Sequence, residues 1–191
     1  MLQSPKVAVG FCAEPIAGGY TFTLTTVLGN MLREAERRYG PRDHSWTLLG
    51  IEFCGDAPQI WFPGNCKKIS IMLTESARLD WRQAVFQLSH EIIHLLSPHG
   101  DRGAPTIEEG LATAFSHEIP FLFGSTYRSD LDSYSSAEML VRNFLTLDPD
   151  GIRRLRTQEP SFRKFSPELI CRVCPSVPPS LAVSLCQPFK R

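Results

Sequence analysis

No stretch of this chain approaches the roughly 20 consecutive apolar residues that a membrane-spanning helix requires, and neither sign of charge is in excess. Twenty lysines and arginines balance twenty aspartates and glutamates. A neutral balance gives no reason to expect a nucleic acid or an anionic membrane as partner. Six cysteines in 191 residues are too sparse for a disulfide framework. Buried free thiols in a reducing compartment, the cytoplasm, are the expectation. The segment 1–6 lacks a charged end followed by an apolar core, so no signal peptide is expected. Repeats and low-complexity tracts are absent. With 42% hydrophobic and 21% charged residues, the composition is that of one globular domain with a real core. After Leu147 basic residues outnumber acidic ones, which reads as a solvated face.

Against that plain background stands His90-Glu91-Ile92-Ile93-His94. Two histidines four residues apart on a helix project from one face, where a single zinc ion can accept both. The glutamate after the first histidine is then placed to take a proton from a water on that ion. The surroundings predict a helix. Trp81, Ala84, Val85, Leu88, Ile92, Leu95 and Leu96 recur at helical spacing, and Phe86 and Ile93 add apolar surface on other sides. Ser97-Pro98 ends the pattern, so the histidines fall in the last two turns of a core helix.

Two histidines need a third protein ligand if one coordination position is to stay open for water. A second helix is predicted to start at Pro105-Thr106, with Glu108 and Glu109 in its first turn. Either carboxylate could bind the ion, and only one need do so. Ile107, Leu111 and Ala114 form an apolar stripe with the two glutamates on different sides of it. His99 reads as a loop residue, because Gly100 stands where a third histidine of the long zinc motif would be. His117-Glu118-Ile119-Pro120-Phe121 begins like a second zinc motif but lacks its last histidine, so it reads as the polar end of this helix. Cys171-x-x-Cys174 is a single pair without partners for a second site.

Upstream, Leu24, Val27, Leu28, Met31, Leu32 and Ala35 mark an amphipathic helix over 22–39. Three β-like runs follow, at 46–53, 59–62 and 68–73, and a meander is the simplest way to pair them. Downstream, Ser135-Ser136-Ala137-Glu138 has the form of a capping box opening a helix through Leu147. A short helix over 148–156 and an apolar turn over 181–185 complete the chain.

His90 to His94 followed by Glu109-Gly110-Leu111-Ala112 resembles the gluzincin group of zinc metallopeptidases. The resemblance implies an α+β, zincin-like fold: an N-terminal helix, a small sheet of about three strands, the motif helix, a ligand helix and a C-terminal helical segment. It implies one domain over 1–191, with an upper part at 1–100 and a lower helical part at 101–191. Glu109 becomes the third ligand of a single zinc held with His90 and His94, and Glu91 the general base. Two positions depart from the group. Thr106 and Ile107 stand near the place of an aromatic residue, and Thr113 stands where some members carry an acidic residue that orients a histidine. A weaker resemblance is to the ImmA/IrrE-type peptidases, whose ligand is usually followed by Ala-Asn rather than Gly110-Leu111.

The function this implies is hydrolysis of peptide bonds in a protein or peptide substrate. The edge strand of the sheet would lie along the cleft and pair with the substrate main chain. A developing oxyanion needs a donor besides the metal, and Tyr134, just before a helix, is the first candidate, ahead of Tyr127, Arg128 and His117. The alternative is a zinc-stabilised, non-catalytic regulatory or protein-binding module with the same fold. An intact Glu91 speaks against it, since a purely structural site needs no base.

Overall fold

The computed structural model describes residues 15–16, 19–20, 23–64, 66–100, 103–120, 126–128 and 131–190. The expected start of the first helix at Phe22, the segment 1–6, Cys12 and the run 121–123 lie outside them. The fold is α+β. Two short strands, β1 (Pro15–Ile16) and β2 (Gly19–Tyr20), pair antiparallel and precede helix α1 (Leu24–Tyr39). Strands β3 (Thr47–Phe53), β4 (Gln59–Trp61) and β5 (Lys68–Leu73) form a three-stranded sheet. Helices α2 (Trp81–His94), α3 (Thr106–Glu118), α4 (Asp132–Leu147), α5 (Gly151–Gln158), α6 (Pro167–Val173) and α7 (Pro179–Cys186) follow. None is long and apolar enough to cross a membrane.

The sheet is not a meander. Its order is β3-β5-β4, with β3 parallel and β4 antiparallel to the central β5. The reason lies in β5 itself. Ile69, Ser70 and Ile71 are all buried, so both faces of this strand are covered, as a central position requires. Strands β3 and β4 alternate between exposed and half-buried residues and take the edges. Ser70 is accommodated because its hydroxyl donates to the Gly50 carbonyl at 3.3 Å.

Helix α2 is buried nearly all round, against α1, α3 and β5. Asp80 caps its start by accepting from the amides of Arg82 and Gln83, at 2.9 and 3.3 Å. Gln87 ties it to the end of β5, its side-chain oxygen accepting from the Thr74 amide at 3.0 Å. The far end is held by Arg156 of α5. Its guanidinium donates to the carbonyls of Tyr39, Gly40, Pro41 and Leu96, all at 2.8–2.9 Å, and to Pro160 at 3.3 Å. One buried cation thus gathers the C-terminal ends of α1 and α2, where helix carbonyls carry partial negative charge. Arg154 pairs with Asp148. The basic excess after Leu147 is therefore not wholly a solvated face.

Helices α3 and α4 pack at very short range because residue 110 has no side chain. A Cβ on Gly110 would lie 2.3 Å from the Ala137 carbonyl oxygen and 2.7 Å from a Val141 methyl. Helix α4 begins at Asp132, three residues before the expected capping box. The Leu131 carbonyl already accepts from the amides of Tyr134 and Ser135. Glu138, which a capping box would turn back on the helix start, is engaged with His117 at 2.8 Å and with Arg142. Tyr134 accordingly sits inside the first turn of α4 rather than before it.

Strand-like pairing also fixes the start of α3. Gln187 accepts from both the amide and the hydroxyl of Thr106, at 2.8 and 3.0 Å, and the Phe189 amide donates to Ala104 at 3.0 Å. Of the five described cysteines, all are free, but only Cys174 is buried, while Cys54 and Cys66 are exposed. The expectation of buried thiols fails for those two because they lie in the turns flanking β4.

Candidate metal centre

His90 and His94 occupy the last two turns of α2, one turn apart, with ring centroids 5.2 Å from each other. Glu109 reaches them from the first turn of α3. Its Oε2 lies 3.3 Å from His90 Nε2 and 3.9 Å from His94 Nε2. One donor atom from each of the three can be chosen so that all lie within 4.8 Å of one another. Zinc bonds of about 2.0–2.2 Å in a tetrahedral arrangement set donors about 3.4 Å apart. The spacing and the donor set, two imidazoles and a carboxylate, could therefore hold a metal ion such as zinc. Among the described residues no other group of His, Cys, Asp and Glu could hold an ion.

The two adjacent glutamates share the work. Consecutive helix residues point about 100° apart, so Glu109 and Glu108 meet different sides of the site. Glu108 is fully buried, and its Oε1 accepts from His94 Nδ1 at 2.8 Å. With Glu108 ionised, that bond puts a proton on Nδ1 and leaves Nε2 to face Glu109 at 3.9 Å. Here is the carboxylate that Thr113 does not supply. Thr113 spends its hydroxyl on the Glu109 carbonyl of its own helix, at 2.8 Å. Behind Glu108, His99 Nε2 stands 3.6 Å from Oε2, and Arg163 donates to His99 Nδ1 at 3.2 Å. His99 is a loop residue, as expected, but one that backs the metal centre. Nothing in the sequence connects it or Arg163 to the motif, because both reach the site through tertiary packing.

The electrostatics follow from these contacts. Burial alone would lower the His94 pKa, but the charge of Glu109, the bond and charge of Glu108 and the charge of Glu91 raise it to about 10. Burial would raise the Glu108 pKa, yet His94 and His99 beside it bring it below the ordinary range. In the metal-free protein the His94 proton stabilises the fold fully below its ordinary pKa of 6.5, and that contribution is lost as pH rises through about 10. A cation must displace this proton. Zinc affinity is thus expected to rise about tenfold per pH unit between roughly pH 7 and 9, with about one proton released per ion. Competition with a calibrated chelator measures the first, and calorimetry in buffers of different ionisation enthalpy the second. A flat pH profile would contradict the arrangement.

Two cavities meet at the site. A cleft of about 440 Å³ is lined by residues 58–62, including all of β4, together with His90, Glu91, His94, His99 and both glutamates of α3. The edge strand that borders the site is therefore β4. A second cavity of about 500 Å³ shares His90 and Glu91 and continues along Phe86, Tyr127 and Tyr134. Glu91 is buried and opens into both. The Tyr134 ring stands edge-on to His90 at 5.8 Å and packs on Phe189 at 4.8 Å. Tyr127 lies 5.0 Å from Phe86 on the far wall. Arg128 is exposed and lines neither cavity, and His117 is turned behind Phe86 onto Glu138. Compared with family models, with curated proteins and with solved structures, the chain matches none.

Proposed function

We propose that this chain is a zinc-dependent peptidase with a zincin-like fold. The observation that carries the reading is the convergence of His90, His94 and Glu109, with Glu91 beside them, at the mouth of a cleft edged by β4. Zinc, when bound, would supply an activated water and a Lewis acid for the scissile carbonyl. The rest falls to the chain. Strand β4, paired only on its β5 side among the described residues, offers main-chain groups to an extended peptide. Glu91 takes the proton of the attacking water and passes it to the leaving amine, acting as base and then acid. To Tyr134, whose ring stands edge-on to His90 at 5.8 Å, we assign the donor to the developing oxyanion. Glu108, backed by His99 and Arg163, holds the His94 ring in its working orientation.

The purified protein is expected to hold one zinc per chain and to cleave components of a mixed peptide library. A chelator should stop cleavage and added zinc restore it, while His90→Ala and Glu109→Ala should lose metal and cleavage together. Absence of stoichiometric metal would end this reading. Metal retained with no peptide cleaved would point instead to a zinc-stabilised binding module.

A further inference from the structure

The second cavity has a chemistry of its own. Phe86, Tyr127 and Tyr134 supply aromatic walls, and Leu131 stands at the mouth. Five of the polar side chains on the lining, Thr74, Ser76, Gln87, Thr113 and Ser116, are already committed within the protein. The Gln87 amide exchanges hydrogen bonds with Thr74, its nitrogen donating to the hydroxyl at 2.8 Å and its oxygen accepting from the main chain at 3.0 Å. The hydroxyls of Thr113 and Ser116 both donate to carbonyls of their own helix at 2.8 Å. No lysine or arginine lines the cavity, whereas two carboxylates do, Asp56 and Glu91. A carboxylate entering this space would meet the like charge of Asp56 and Glu91 and no lysine or arginine, and would give up hydration for neutral groups alone away from the His90 wall. An aromatic ring would meet ring faces and edges at contact distance.

The cavity also has a defined position. It shares His90 and Glu91 with the cleft along β4. A peptide passing from β4 across Glu91 therefore brings one of the two side chains next to the scissile bond to the mouth of the second cavity. We infer that this cavity is the specificity pocket of the site, taking a large uncharged side chain, aromatic before aliphatic, and refusing aspartate and glutamate. The inference rests on the peptidase reading for its link to cleavage. Lysine and arginine rank between, because Asp56 lies at the exposed mouth while the floor holds no carboxylate besides Glu91.

The test uses the zinc-loaded protein and peptides that differ only beside the scissile bond, carrying Phe, Leu, Lys or Glu there. Phe is expected to give the highest kcat/KM, and Glu a value lower by about 100-fold or more, the discrimination expected when a buried group goes unpaired. Leu131 is 59% exposed, so Leu131→Arg can add a cation at the mouth without touching the core. That variant should narrow the Phe-to-Glu ratio by about tenfold, one charge–charge contact at a partly shielded site. Binding of the same peptides to zinc-loaded Glu91→Gln protein gives a readout without turnover. Cleavage that ignores the varied residue, or a ratio that Leu131→Arg leaves unmoved, overturns the pocket and leaves the peptidase reading intact. Selective binding with no cleavage by the wild type upholds the pocket and overturns the peptidase reading. Neither binding nor cleavage overturns both.

Discussion

Glu91→Gln is expected to bind zinc one-to-one and to cleave peptides more slowly by roughly 10²–10⁴-fold, the range that a positioned acid–base group contributes. The two side chains have nearly the same shape, so the buried position beside His90 stays filled. The glutamine amide cannot take a proton from water at neutral pH, and that alone removes the step. Zinc binding should suffer little, since the proposed donors are His90, His94 and Glu109, although one nearby negative charge is lost. Two measurements are needed together: metal per chain, and initial rates on a peptide the wild type cleaves. A variant that retains wild-type turnover would remove Glu91 from the mechanism. A variant that loses its metal would show that Glu91 serves the ion rather than the reaction.

Arg156→Met is expected to lower folding stability by about 3–5 kcal/mol, the range for stripping one partner from a buried charged arrangement. Arg156 is only 5% exposed, and burial lowers its pKa to about 10 against the pull of Glu108 and Glu36. Its hydrogen-bonding partners are main-chain carbonyls from the ends of α1 and α2 and from 160. Methionine fills much of the volume but leaves those oxygens without donors, and each buried unmet group is costly. Arg156→Lys should recover only part of the loss, because three donors on a point charge cannot span a planar fork. Urea unfolding of the three proteins in the same buffer decides it. A loss below about 1 kcal/mol for the methionine variant, the level of an ordinary surface change, would show that water takes over these carbonyls. Zinc affinity should fall as well, since Leu96, two residues beyond His94, is one of the anchored positions.

Much of this could be read from the chain before its coordinates. The span of α2 followed from apolar spacing, and Asp80 and Ser97-Pro98 bound it closely. The pairing of the two histidines follows from helix geometry, since residues four apart share a face, and the carboxylates of α3 from the helix start after a short loop; the family resemblance alone singles out Glu109. Which carboxylate faces the ion does not follow. It depends on how α3 is rotated in the core, where Gly110 meets Ala137 of α4 and Ile107 and Leu111 are buried. The capping pattern at 135–138 misled because a tertiary partner, His117, claims the glutamate that the local motif needs. The central place of β5 was written in the apolar run Ile69 to Leu73, broken only by Ser70, a signal that a meander reading passes over. Arg156 looked like one basic residue among several, because nothing local distinguishes a cation destined for helix ends.

The joint between 104–106 and the C-terminal segment bears on how the molecule is made. Thr106 finds the acceptor for its amide and hydroxyl in Gln187, 81 residues later. A chain leaving the ribosome N-terminus first has produced both imidazoles and both glutamates long before that acceptor exists. Until Gln187 and Phe189 have emerged, the first turn of the helix bearing Glu109 has no strand to lean on. His90, His94 and Glu109 are therefore held in their final register only once residues 187–189 have emerged.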